Sequence, residues 1–208
     1  MENFIHPTAI IENVTFLGGG NHIGPYCVIK NAVISESNVF TSHVCIGAPP
    51  QHISHLQSGK EDRPVIIGSF NNFREFTTVH SGTISGTFIG DHNFLMNYVH
   101  IPHDCTVKNN VTIANNAQIA GHTYISSFCN IGLSAVIHQF SFLGEGCMIG
   151  MGTVIPKQKR ILPYKVYVGA PCKELRDNQY LIDKNQIGEK DLAELRKHYN
   201  TEFNKTLK

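Results

Sequence analysis

From Ile89 to Ile155 an aliphatic residue returns at every sixth position without a miss: Ile89, Leu95, Ile101, Val107, Ile113, Ile119, Ile125, Ile131, Ile137, Leu143, Ile149 and Ile155. A helix repeats at 3.6 residues and a half-buried strand at 2, so a sustained period of six belongs to neither. The economical solution is a parallel β-helix of short straight edges, each presenting one aliphatic side chain to a common core and turning through small or polar residues. Three edges close one coil of eighteen residues.

The register also runs through Ile5, Ile11, Leu17, Ile23 and Ile29, then Ile34, Phe40 and Ile46, then Ile67, Phe73 and Val79. It slips after Ile29, where the step is five, and again across residues 48–64 and 81–87; the first of these two stretches carries no hexad and the second is rich in Gly, Ser and Thr. A solenoid admits insertions only as loops leaving its surface, and long loops of this kind are where function concentrates. The 48–64 excursion is therefore read as a functional loop.

With 41% hydrophobic residues spread periodically, the chain shows no apolar run long enough to cross a bilayer, and no signal peptide is expected ahead of the first hexad. Cys27, Cys105, Cys129 and Cys147 each sit four residues after a core aliphatic, where Ala117 and Ala135 also stand, so they read as small buried fillers. No Cys-x-x-Cys pair occurs. The thiols are expected to be reduced and the protein cytoplasmic.

Residues 1–156 hold five Lys/Arg against nine Asp/Glu, and residues 157–208 twelve against seven, which makes the tail locally +5. That tail is suited to phosphates or is simply a solvated face; nucleic acid is not expected, because acids interleave the bases and no aromatic platform accompanies them. Pro156, Pro163 and Pro171 predict an irregular exit from the coils. From Glu189 the spacing of Leu192, Leu195, Tyr199 and Phe203 predicts one amphipathic helix, with acids early and Arg196 and Lys197 later, lying on the solenoid or on a neighbouring subunit.

Rungs of a parallel solenoid lie about 4.8 Å apart, so residues eighteen apart stack on one another. His103 and Gly121 therefore share a column, with His122 beside Gly121 and His138 near the same corner of the next coil. His100 precedes His103 by three residues and His80 enters the 81–87 loop, so five of the twelve histidines fall on one broad stripe. Any one of them alone reads as a surface residue with a single hydrogen bond. Together, a base held by Asp104 and a glycine amide at rung distance to meet an oxyanion suggest acyl transfer. Zinc ligation resembling a carbonic anhydrase, and a purely scaffolding solenoid, are the other classes; no two histidines here are five residues apart, the common spacing for zinc on such an edge.

The segments Ile5-His6-Pro7-Thr8-Ala9-Ile10, His100-Ile101-Pro102-His103-Asp104-Cys105-Thr106-Val107, Ile113-Ala114-Asn115-Asn116-Ala117, Ile119-Ala120-Gly121-His122 and Val136-Ile137-His138-Gln139-Phe140 resemble the hexapeptide acyltransferases, and among them the UDP-N-acetylglucosamine acyltransferases of lipid A synthesis. The resemblance is dense from about residue 65 to 155. It implies an all-β fold, a left-handed parallel β-helix of hexapeptide repeats with a surface loop and a short α-helical C-terminal tail, assembled as a homotrimer with clefts between subunits. By the same resemblance His103 is the general base, Asp104 its orienting partner and Gly121 the oxyanion amide. His80, His100, His122, His138 and Gln139 line the cleft, and Gln51, His52 and His55 touch the acceptor. Domains are expected at 1–156, including the loop 48–64, and at 157–208.

The chain departs from that family at one motif that bears on the acceptor, and two further places speak to the donor. Gln51-His52-Ile53-Ser54 stands where the family carries Gln-Asp and then a substrate-binding lysine, so the acid and the lysine are both missing at that motif. By the resemblance Met151 stands where residue size sets acyl-pocket depth, which implies a short or medium 3-hydroxyacyl group, with acetyl the other candidate; its plain alternative is a core filler. Val168-Gly169-Ala170-Pro171-Cys172-Lys173 resembles the exit loop of coenzyme A-dependent sugar acetyltransferases, which implicates Gly169 and Lys173 in donor binding. The leading expectation is N-acylation of a nucleotide-linked amino sugar, such as a dTDP-3-amino-3,6-dideoxyhexose of surface polysaccharide, from an acyl-CoA or acyl carrier protein thioester, with no metal and no bound cofactor. The alternative is O-acylation of UDP-N-acetylglucosamine.

Overall fold

The computed structural model describes residues 1–206, with side chains described as far as 199. The hexads close into a parallel β-helix. Its edges are short strands, most of two residues, such as His100–Ile101, Thr106–Val107 and Thr112–Ile113. From Thr87–Ile89 to Met148–Ile149 each pairs in parallel with the strand eighteen residues on: Thr112 with Asn130, Ile113 with Ile131, and Asn130 in turn with Met148. Every hexad aliphatic from Ile89 to Ile155 is buried, and stacking them makes one continuous core along the axis. Burying each side chain is worth about 1.5–3 kcal/mol, which a two-residue strand could not secure without neighbours above and below.

Corners are sharp because one residue in each turn takes a left-handed backbone, for example Tyr98 (φ 62), Asp104 (φ 58), His122 (φ 58) and Phe140 (φ 61). Inside one corner Asn21, Asn38, Asn71 and Asn93 form a buried ladder in which each side-chain oxygen accepts the next rung's N–H at 2.8–2.9 Å. The step of five after Ile29 also has a cause. The chain rounds that corner inside one strand, Val28–Ile34, with Asn31 left-handed at φ 41 and Ala32 buried.

The coils do not end at Pro156. Strands Arg160–Ile161 and Lys165–Val168 continue both ladders, with Ile161 and Tyr167 carrying the period onward from Ile155, so the boundary expected there moves to the end of Lys165–Val168. Lys173–Asp177 then folds back antiparallel on that last strand. Two helices follow rather than one, α2 (Gln179–Lys184) and α3 (Glu189–Thr206). α3 lies on its own solenoid: Arg196 donates to the carbonyls of Pro163 and Tyr164 and to Asp177, and the Tyr199 hydroxyl donates to the Phe142 carbonyl at 2.9 Å. The side chain of Phe203, also expected on that face, lies outside the described residues. Cys27, Cys105, Cys129 and Cys147 are buried fillers as expected, and burial pushes the Cys105 thiol up to about 12. No helix among the described residues is long and apolar enough to span a membrane.

Candidate active site

One corner gathers most of the expected site residues: the turns that follow strands Thr78–His80, His100–Ile101, Gln118–Ile119 and Val136–Ile137. His103 and Gly121 stack there on successive rungs, and the His122 N–H donates to the His103 carbonyl at 3.2 Å. The imidazole lies flat against the glycine. A Cβ at Gly121 would stand 2.7 Å from His103 Cε1 and 2.8 Å from Nε2, so only glycine leaves room for the ring. The Gly121 N–H donates to no group among the described residues.

His103 Nδ1 is 2.9 Å from Asp104 Oδ2, and the Asp104 side chain is only 1% exposed. The segment 81–87 folds over this carboxylate. Thr83 donates its hydroxyl at 2.6 Å and its N–H at 3.1 Å, and the N–H groups of Ile84 and Ser85 donate at 2.9 and 3.1 Å. Burial by itself would raise the Asp104 carboxyl, but the hydrogen bonds from His103, Thr83, Ile84 and Ser85 outweigh it and hold the group well below the usual carboxylate range. A fixed anion at Nδ1 places the proton there and leaves Nε2 as a proton acceptor, the arrangement of a general base.

The other predicted residues divide. His122 packs edge-on to His103 with ring centres 5.1 Å apart and stacks on Phe140; burial, then His103 and His52, lower its basicity against the pull of Asp104. His52 packs edge-on to His103 at 5.4 Å from the 48–64 loop. His80 and His100 form a second pair at 5.1 Å; His80 Nδ1 bonds the Pro49 carbonyl and His100 Nδ1 bonds the Thr78 hydroxyl. Burial, reinforced by His80 and His103, brings His100 down to about 4. His138 and Gln139 stand one rung beyond Gly121 on this corner, where the His138 ring accepts the Gln139 N–H instead of joining the cluster. Gln51 is exposed at the start of the loop.

Met151, Gly169 and Lys173 are not brought to His103 within the chain. Met151 and Gly169 occupy a different corner, the one with Tyr98 and Leu133, and Met151 is 75% exposed, which rules out the core-filler reading. Lys173 is exposed in the antiparallel hairpin beyond the coils.

Several residues that position or line the site were not foreseen. Thr83, Ile84 and Ser85 anchor Asp104, and Ser54, Ser58 and Lys60 join Thr83 and Ile84 and the expected His52, His55 and His122 in lining a cleft of about 230 Å³. A lysine is thus present at the cleft, nine residues beyond Gln51. The two loops are clamped together by reciprocal bonds between Arg63 and Gly82 at 2.8 Å, which bring Thr83 over Asp104. A Gly/Ser/Thr-rich composition was the only sequence signal for this, because a nest of backbone N–H groups leaves no side-chain signature.

The donor set does not suit a metal. Ligand atoms of His103, Asp104 and His122 lie within 4.8 Å of one another. However, both Asp104 oxygens already accept hydrogen bonds, and the His103 nitrogen facing them is a donor, so an ion would have to displace the whole nest.

Comparisons with known proteins decide the family. Residues 86–121 match the bacterial transferase hexapeptide model of six repeats. An acyl-[acyl-carrier-protein]--UDP-N-acetylglucosamine O-acyltransferase of Campylobacter concisus is 32% identical over 88% of this chain and 74% of its own length. The chain belongs to the UDP-N-acetylglucosamine O-acyltransferase family. It is an acyltransferase, and its closed wall is the left-handed β-helix of that family. The UDP-N-acetylglucosamine acyltransferase from Campylobacter jejuni superposes with a TM-score of 0.76 at 31% identity, over 95% of this chain and 83% of that one. The Francisella novicida enzyme shares the fold at TM-score 0.80 and 24% identity, over 95% and 76%.

Proposed function

We propose that the protein moves an acyl group from the thioester of an acyl carrier protein to a hydroxyl of UDP-N-acetylglucosamine. The carrying observation is the His103–Asp104 pair: a nearly unexposed carboxylate accepting from five donors orients the imidazole, and a glycine amide with no partner among the described residues sits one rung away. His103 Nε2 takes the hydroxyl proton as the oxygen attacks the thioester carbonyl. The Gly121 N–H meets the oxyanion, and its collapse expels the carrier thiolate, which receives the proton back from the imidazolium. A neutral amine attacks a thioester with little help, whereas a hydroxyl needs a base. A site this heavily invested in orienting one therefore favours oxygen, as do the O-acyltransferase relatives, over the amine acceptor favoured on sequence.

The donor half of the cleft is completed by a second copy of the chain in a homotrimer. The corner bearing Met151 carries an exposed apolar ridge of Tyr26, Phe76, Tyr98 and Leu133, the kind of surface that another subunit covers. A short 3-hydroxyacyl chain is favoured by Met151 at that corner.

The test offers UDP-N-acetylglucosamine and a dTDP-3-amino-3,6-dideoxyhexose with one 3-hydroxyacyl group, carried either on carrier protein or on coenzyme A. An alkali-labile ester of the UDP sugar, formed from the carrier thioester, is expected. Product only on the amine would overturn the reading.

A further inference from the structure

The corner that holds His103 changes character along the solenoid. Strand Val28–Ile34 rounds it tightly at Lys30 and Asn31. On the next coil the strands paired with it, Cys45–Ala48 and Val65–Ile67, leave the corner open to the 48–64 loop, which carries α1 (Ile53–Ser58). One coil further, Thr78–His80 and Thr87–Ile89 leave it open to 81–87, and His103 and Asp104 come on the coil after that.

The segment 81–87 that cradles Asp104 has little support of its own. Among the described residues its internal hydrogen bonding is Ser85 Oγ to the Gly86 carbonyl at 3.4 Å. Asp104 apart, its backbone is held by the flanks of the other loop: the Ser81 N–H donates to the Ala48 carbonyl at 2.9 Å, Arg63 and Gly82 exchange their bonds, and the Thr87 N–H donates to the Pro64 carbonyl at 3.3 Å.

One side chain ties the feet of both loops. Asn31 Nδ2 donates to the Asp62 carbonyl at 3.3 Å and to Ser81 Oγ at 3.0 Å. These partners fix which end of the amide points at them, since a carbonyl has no proton and the buried Ser81 hydroxyl already donates its own to the Gly47 carbonyl at 3.1 Å. Asp62 and Ser81 are the residues immediately before Arg63 and Gly82, so a single amide holds the approach to both halves of the clamp. Among the described residues Asn31 neither lines the cleft nor makes a hydrogen bond to His103 or Asp104.

We infer that Asn31 is a positioning residue for the base: through the clamp it keeps the backbone donors of Thr83, Ile84 and Ser85 aimed at Asp104, and so keeps the His103 ring oriented for proton transfer. This rests on the proposed function and adds to it a residue three coils below the base. Backbone shape is a separate reason for an asparagine here, because Asn31 is left-handed at φ 41. Glycine separates the two, since it meets that backbone more easily than asparagine and carries no amide.

Asn31→Gly is therefore the test, with Asn13→Gly as its control. Asn13 is left-handed at φ 53 in the same corner one coil below, and makes no hydrogen bond to either loop among the described residues. Hydrogen exchange of the full chain, read by mass spectrometry on peptides spanning 81–87, reports the nest without needing turnover. Loss of two hydrogen bonds should make that segment exchange about tenfold faster, with the hexad peptides and the thermal midpoint close to wild type. Turnover of UDP-N-acetylglucosamine with the carrier thioester should show kcat lowered about tenfold and the thioester KM unaltered, because a displaced nest misaligns the base and leaves the donor's contacts in place. Ser81→Ala cuts one arm and should give the same pattern at about threefold, and Asn13→Gly should match wild type. Wild-type exchange at 81–87 in folded Asn31→Gly, faster exchange with kcat within about twofold of wild type, or an equal loss in Asn13→Gly overturns the inference. Should Asn31→Gly not fold, Ser81→Ala decides by the same two readings. Folded wild type that acylates no nucleotide sugar overturns the functional reading, and with it the role given to Asn31, even where exchange shows that Asn31 holds the nest.

Discussion

Asp104→Asn isolates the role of charge and proton placement from that of shape. One carboxylate oxygen accepts the N–H groups of Thr83, Ile84 and Ser85, and the other accepts the Thr83 hydroxyl and His103 Nδ1. An asparagine has one oxygen to offer. Directed at the backbone nest, that oxygen keeps three donors satisfied, and the amide N–H₂ then faces Thr83 and His103. Thr83 can rotate its hydroxyl to accept, but His103 must give up its Nδ1 proton and carry it on Nε2, the nitrogen that should take a proton from substrate. The opposite orientation sets an N–H₂ against three backbone N–H groups and is the costlier one. The variant should therefore fold, losing about 1.5–3 kcal/mol from one charged hydrogen-bond set. Its turnover should fall by roughly 10²–10⁴, the ordinary worth of a general base. Thiol release with mass analysis of the product reads the first-order rate, and thermal melting reads the fold. A folded Asp104→Asn protein turning over within about threefold of wild type would refute the assignment of His103 as an oriented base.

Three further outcomes follow from the same geometry. Gly121→Ala should displace the His103 ring, since its Cβ would press to 2.7 Å of Cε1, and cut turnover at least about tenfold with a melting point close to wild type; unchanged turnover would remove the stacked pair from the mechanism. His100 is brought down to about 4, so the fold favours its neutral form; the associated stability is present above the ordinary histidine value and is lost as pH falls from there towards 4. Melting between pH 7 and pH 5 should thus drop more steeply in wild type than in His100→Gln, and equal slopes would exclude His100 as the source. Prolonged chelation should leave turnover unaltered, because Asp104 has no free oxygen for an ion; loss of activity restored by zinc would show that the nest opens to a metal.

Much of the wall was legible in the chain because its rule is local and repeated. Every sixth aliphatic side chain is buried, the cysteines fill the small positions, and the eighteen-residue count stacks Gly121 on His103 and His122 on Asp104. The count misjudged the end of the coils, where three prolines outweighed Ile161 and Tyr167 still in register. Met151, singled out by resemblance and not by the count, lies exposed on another corner of the same chain. A period gives height and edge along a solenoid, and nothing about what a second copy brings to it.

The loops mark the division most plainly. Residues 48–64 and 81–87 were recognisable as departures from the repeat, and the first drew attention as functional. That Thr83, Ile84 and Ser85 would cradle a carboxylate, or that Lys60 would return to the cleft, depended on the Arg63–Gly82 clamp joining the two excursions. The order of residues was enough to give the repeat and the column in which His103 and Gly121 stand, since both come from spacing along one strand path. Tertiary structure alone decided how the His103 ring is held against Asp104 and how Asp104 is cradled, since backbone N–H groups are the same in every sequence until folding aims them.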